Sequence, residues 1–122
     1  LPKTELIFFK DDDGSVPIVD WLSELPPKAR AKCRVKMERL AELGHELRRP
    51  EADLLRDKIY ELRIRLQGIN YRILYFFHRR AIAVLSHGIV KERTVPPKEI
   101  DQAIERRKKF EKAPEAYSYK EK

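Results

Sequence analysis

Apolar and polar positions alternate most cleanly from Ile59 to Leu66. Tyr60, Leu62, Ile64 and Leu66 fall on one side, and Glu61, Arg63 and Arg65 on the other. A period of two marks a strand with one covered face. The run from Tyr71 to Phe77 is almost continuously apolar, which predicts a central strand covered on both faces. Ala81 to Val90 reads as a third strand. Glu5 to Lys10, centred on Leu-Ile-Phe-Phe, reads as an earlier one. Gln67-Gly-Ile-Asn70 and His78-Arg-Arg80 supply turns short enough to make the later strands antiparallel neighbours.

Elsewhere the period becomes helical. Ile18, Trp21, Leu22 and Leu25 share one face of a helix that Ser15 would cap and that carries Pro17 in its first turn. Pro26-Pro27 opens a second helix, striped by Ala29, Cys33, Met37 and Leu40, with Gly44 placed to end it. Pro96-Pro97 opens a third, striped by Ile100, Ala103, Ile104 and Phe110, and Pro114 closes it. Asp11-Asp-Asp-Gly14 predicts a solvated turn. Residues 45–56 predict a loop from which Leu54-Leu55 packs back on the core, and residues 113–122 a frayed polar tail. The expectation is one α+β domain over residues 1–112: a twisted antiparallel sheet with two N-terminal helices and a C-terminal helix packed on one face.

Charge sharpens this picture. The chain is 39% charged, against an average of about 25%, and carries a net +7 over 122 residues. Residues 1–25 hold two basic and six acidic groups, residues 26–58 ten and six, and residues 59–94 seven and two. The excess therefore sits on the predicted sheet and the helix before it, which favours a polyanionic partner. Cys33 is the single cysteine, so no intrachain disulfide forms, and its place in an apolar stripe beside Met37 reads as a packed thiol. No apolar run approaches the roughly 18 residues of a membrane span, and the start of the chain lacks a signal-peptide pattern. A cytoplasmic protein is expected.

The candidate chemistry lies among the arginines. If the turn pairs Leu66 with Tyr71, Arg65 stands opposite Arg72 on one face, where like charges cost roughly 0.2–1 kcal/mol. Two arrangements would relieve that cost. Glu61 or Glu92 could close an internal network, or a phosphate could bind, since guanidinium matches it bidentately. His87 would lie near Arg72, and neighbouring cations would disfavour its protonated form and suit it to act as a base. Gly88 would let the strand bend or bulge there. Lys91 and Arg93 share a face just beyond. There is no phosphate loop, zinc-ligand spacing or serine elbow. What fits is cofactor-free, metal-free chemistry on RNA, whose 2′-hydroxyl is an internal nucleophile. Arg72 and Arg63 would hold the phosphate, while Arg65, Lys91 and Arg93 steer and neutralise the chain. His87 or Glu61 would move protons, and Lys36, Arg79 and Arg80 would extend the RNA-binding surface.

Tyr60-Glu-Leu-Arg-Ile-Arg, Tyr71-Arg-Ile-Leu-Tyr-Phe, and Leu85-Ser-His-Gly followed by Lys91 and Arg93 resemble the RelE/ParE superfamily of toxins, in particular its HigB-like, phage-derived branch. The likeness runs from about Leu6 to Phe110. It implies a RelE-like fold and the toxin of a type II toxin–antitoxin system, typically a ribosome-dependent mRNA endonuclease. Its partner would be a neighbouring-gene antitoxin, usually a HigA-like helix-turn-helix protein. By motif position Arg63 falls where relatives keep a catalytic lysine, and Arg72 where an arginine contacts the scissile phosphate. Lys91 or Arg93 falls near a later functional arginine. Glu61 departs from the pattern by replacing a second lysine. Val95-Pro96-Pro97 stands where some members place a tyrosine. The ParE branch inhibits gyrase instead, and a basic RNA-binding module that cuts nothing is a third reading.

Overall fold

The computed structural model describes residues 3–90 and 93–121, so the expectations for Lys91 and Glu92 lie outside the described residues. The elements run β1 (Glu5–Phe9), α1 (Pro17–Glu24), α2 (Pro27–Leu43), a 3-10 turn (Gly44–Glu46) and β2 (Ala52–Arg56). They continue with β3 (Ile59–Leu66), β4 (Ile69–His78), β5 (Ile82–Val90), α3 (Pro97–Lys112) and β6 (Ser118–Tyr119). The six strands form one sheet in the order β2-β3-β4-β5-β1-β6. All pairs are antiparallel except β1 with β5, which long intervening chain allows to run parallel.

The helices cover both faces, not one. α1 and α2 bury Ile18, Leu22, Cys33, Met37 and Leu40 against Phe8, Leu62, Ile64, Ile73, Tyr75 and Leu85. α3 buries Ile100, Ala103 and Phe110 against Ile7, Phe9, Leu74, Phe76 and Val84. The reason lies in β1 and β4, whose consecutive apolar residues load both faces of the sheet, so one layer of helices cannot cover them. Cys33 is fully buried, and burial pushes its thiol up to about 11, as a packed thiol should behave.

Several local expectations change. The β3–β4 turn is Gln67-Gly68 alone, both at positive φ (52° and 80°), so Leu66 pairs with Ile69. Two-residue hairpins of this kind match the twist of the strands they join. Arg65 therefore stands opposite Asn70, and it is Arg63 that faces Arg72. Residues 52–56, expected in a loop, form edge strand β2, with Ala52 opposite Leu62 and Leu54 opposite Tyr60. Leu55 packs back on the core while Leu54 stays exposed. Ser15 does not cap α1: its hydroxyl donates to Asp13 Oδ1 at 2.6 Å, and Val16 holds the cap position. The far end of α1 is instead capped by Arg30, which donates to the carbonyls of Leu22 (2.9 Å), Ser23 (3.2 Å) and Leu25 (2.9 Å).

The β5 irregularity sits at Ser86, between the pairs Leu74–His87 and Tyr75–Leu85, and not at Gly88. Gly88 pairs regularly with Ile73, and its missing side chain serves the helix above. A Cβ there would lie 2.2 Å from Trp21 Cδ2. The acidic turn is not merely solvated: Asp12 accepts from Lys109 (2.6 Å) and Tyr117 (2.8 Å), latching α3 and the C-terminal segment. That segment is not frayed. β6 pairs with β1, Tyr117 stacks on Phe9, and Glu121 forms an ion pair with Arg34.

Candidate functional site

β3 and β4 put Arg63 and Arg72 directly opposite each other on the face that carries α3. Two guanidinium groups this close repel unless an anion lies between them. Glu61, two residues earlier on the same face of β3, fills that place and is only 3% exposed. Arg63 donates to Glu61 Oε2 from Nε (3.1 Å) and Nη2 (2.9 Å). Arg72 Nε lies 3.4 Å from Glu61 Oε1. Glu61 Oε1 is buried without a hydrogen bond in the right geometry. From the neighbouring strand, Asp53 Oδ2 receives Arg63 Nη2 (3.3 Å) and Arg49 Nε (3.0 Å). The result is a charged chain, Arg49–Asp53–Arg63–Glu61–Arg72, across three strands.

The internal network considered as an alternative is thus present, with Glu61 as its acid. It does not close the site. The Arg63 side chain is 37% exposed and that of Arg72 13%. Beside them β3 runs on past the start of β2, and its free edge opens into a cleft of about 330 Å³. Lys32, Lys36, Arg63, Arg65 and Arg72 line it together with Glu51. Lys32 donates to the Arg65 carbonyl at 2.6 Å and caps that edge. Glu51 accepts from Arg39 (2.6 and 2.8 Å) and from Lys36 (2.9 Å). Those donors, Arg39 foremost, hold its carboxyl down to about 2. Five cations against three nearby carboxylates, Glu51, Asp53 and Glu61, leave the cleft positive.

His87 belongs to a different arrangement. It faces Leu74 on β4, whereas Arg72 faces Ile89. The imidazole is 8% exposed beneath α3, with Nε2 3.1 Å from Glu99 Oε1 and Nδ1 2.8 Å from Ser86 Oγ. A neutral ring with its proton on Nε2 satisfies both, donating to Glu99 and accepting from the Ser86 hydroxyl. Burial first, and then the Arg106 charge, lower its affinity for a second proton, while Glu99 opposes the shift. The direction matches the expectation, but the cause is burial and Arg106 instead of Arg72. Arg106 in turn lies 3.5 Å from Asp11 and 5.5 Å from the Phe9 ring centre. His87 therefore ties β5 to α3.

The other sequence candidates divide. Arg65 is exposed at the cleft, and Arg93 is exposed in the bend that follows β5. Lys36 reaches the cleft but is engaged by Glu51. Arg79 and Arg80 turn the chain at the other end of β4. Seven residues at about 3.3 Å each place them roughly 23 Å from Arg72, so they do not join this site. Asp53, Glu51 and Lys32 were not anticipated. Reading residues 45–56 as a loop hid the first two, although Ala52-Asp-Leu54 carries a short alternation that could have shown them.

Among the described residues no group of three or more His, Cys, Asp or Glu side chains could hold a metal, and no helix is long and apolar enough to cross a membrane. No curated protein matches the chain. A family model does, described as "Phage derived protein Gp49-like (DUF891)", and it spans residues 20–108, from within α1 into α3. That match covers every strand of the cleft, and with the α+β, mostly antiparallel architecture it agrees with a RelE-like fold. The chain belongs to the phage-derived Gp49-like family, a member of the RelE/toxin-like superfamily.

Proposed function

We propose that this protein is the toxin of a type II toxin–antitoxin pair, of the HigB-like branch, and that it cuts messenger RNA on the ribosome in the cytoplasm. The observation that carries the reading is the opposed pair Arg63–Arg72 beside a positively lined cleft. In this reading the RNA 2′-oxygen attacks the adjacent phosphorus and gives up its proton. The bond from phosphorus to the 5′-oxygen breaks, leaving a 2′,3′-cyclic phosphate, and the 5′-oxygen takes up a proton. Arg72 and Arg63 neutralise the charge that grows on the non-bridging oxygens. Lys32 and Arg65 hold the flanking backbone. His87 is engaged by Ser86 and Glu99, and Glu61 by the two guanidiniums, so neither serves as the proton carrier. The chain's contribution is positional and electrostatic, and protons pass to water or to ribosomal groups. The neutralising partner is the adjacent-gene antitoxin, a HigA-like helix-turn-helix protein that presents carboxylates to the cleft.

The test is end-mapping of a defined message on programmed ribosomes. The parent should cut it, and a folded Arg72→Ala chain should cut on the order of 10²–10³-fold more slowly, as when one transition-state donor is removed. Parental cutting by that variant excludes the arginine pair. One observation favours a second reading: Glu61 and Asp53 already neutralise part of the pair, and among the described residues no free proton carrier stands beside it. A ParE-like toxin that binds gyrase needs neither. Inhibition of supercoiling without message cleavage would support that reading.

A further inference from the structure

A second cavity, of about 500 Å³, opens on the other side of β2. His45 and Tyr60 line it, with Arg48, Arg49, Leu47 and Leu54. The two rings belong to a cluster of four. His45 lies over Phe77 at 3.6 Å between ring centres, Phe77 meets Tyr60 edge-on at 5.3 Å, and Tyr60 stacks on Tyr75 at 5.4 Å. Phe77 and Tyr75 thus fix the two rings from behind. His45 is exposed and Tyr60 half-buried, so each has ring surface left over. Arg48 is exposed and pairs with no acid among the described residues. Arg49 is 76% exposed along its side chain and is tethered at Nε by Asp53. Aromatic faces held rigidly beside one unpaired guanidinium, Arg48, and a second held by Asp53 at Nε are what single-stranded nucleic acid requires: a stacking surface for the base and a cation for the phosphate.

The cavity is also joined to the arginine cleft. Asp53 Oδ2 holds Arg49 at 3.0 Å and Arg63 at 3.3 Å, so one carboxylate is shared between the two. We propose that this cavity is a nucleotide subsite. It takes one unpaired nucleotide flanking the phosphate held by Arg63 and Arg72, with the base against His45 and Tyr60 and its phosphate on Arg48 and Arg49. The inference rests on the RNA reading above. An acidic peptide fits less well, because the rings offer its carboxylates nothing.

The experiment follows backbone amide shifts of the full chain on adding AMP, UMP, or an RNA trinucleotide with 2′-O-methyl riboses, which cannot be cut. Trinucleotide affinity is measured in parallel across salt. The nucleotides should shift residues 45–49, 54 and 60. His45→Ala should weaken the trinucleotide about tenfold, as loss of one stacked base does. Arg48→Ala should lower the salt slope by about 1. Both side chains are exposed, so folding is not at stake. If Arg72→Ala weakens the trinucleotide while AMP still shifts the cavity, subsite and cleft both stand. If Arg72→Ala changes nothing while His45→Ala weakens binding, the subsite stands and the cleft reading fails. Nucleotides that shift none of these amides, with parental affinity in both His45→Ala and Arg48→Ala, overturn the subsite. So do shifts produced by a glutamate-rich peptide and by no nucleotide.

Discussion

Glu61→Ala removes the acid that lets Arg63 and Arg72 stand opposite each other. Taking one partner out of a buried ion pair costs about 3–5 kcal/mol. Two features lower the figure here. Arg63 is 37% exposed and keeps Asp53 at 3.3 Å, so water and a second carboxylate absorb part of its loss. Arg72, 13% exposed, loses its contact with Glu61 and faces a like charge across the strand pair. The expected loss is roughly 2–3 kcal/mol, most of it from Arg72. For a chain of this size that lowers Tm by roughly 6–15 °C. Urea unfolding at low and high salt checks it. The deficit should shrink with salt, because screening relieves the repulsion, and inorganic phosphate should stabilise the variant more than the parent by occupying the vacated place. A variant that unfolds at the parental urea midpoint in low salt would refute the idea that Glu61 holds the pair together.

Two further outcomes follow from adjacent positions on β5. Burial and Arg106 lower the His87 pKa, so the folded protein resists a proton that the unfolded chain accepts near pH 6.5. That contribution is fully present above about pH 6.5 and is lost as pH falls through the folded value, so His87→Gln should flatten the dependence of the unfolding midpoint on acid over that window. An equally steep dependence in the variant would assign the loss to other groups. Gly88→Ala would place a methyl group 2.2 Å from Trp21 Cδ2, and the indole already packs edge-on against Tyr71. Overpacking of this kind costs about 1–3 kcal/mol, and adding Trp21→Leu should recover part of it; a parental Tm for Gly88→Ala alone contradicts the close approach.

The parts of the fold legible in the sequence were those with a long, unbroken period. β3 shows its two faces in seven alternating residues from Tyr60 to Leu66, and α2 and α3 show theirs in stripes opened by Pro-Pro. What escaped was set by pairing between distant segments. β2 is five residues long, and nothing local distinguishes Ala52–Arg56 from a loop until β3 lies beside it. The register of the β3–β4 hairpin hung on whether Gly68 followed by Ile69 ends a two-residue turn or continues a longer one. That two-residue choice decided whether Arg63 or Arg65 meets Arg72. The candidate site was legible in kind, an arginine pair with Glu61 on its face. Asp53 and Lys32 reach it from other elements, and a one-dimensional pattern carries no trace of such meetings. His87 was drawn away by Glu99 and Ser86 under α3, a packing decision made twelve residues downstream.

The arrangement of β1 has a consequence for how this chain acquires its shape. Among the described residues β1 pairs with β5 and β6: Glu5 aligns with Ile82, 77 positions later, and Phe8 with Tyr119, 111 positions later. During synthesis Ile7, Phe8 and Phe9 must therefore wait as an unpaired greasy segment until nearly everything that follows has emerged. Closing such spans carries an entropic penalty that must be met before any pairing rewards it, which slows assembly and leaves the nascent polypeptide exposed to self-association and chaperones. Maturation of this molecule is accordingly a late, all-at-once event at the β1 seam instead of a progressive build from its N-terminal side.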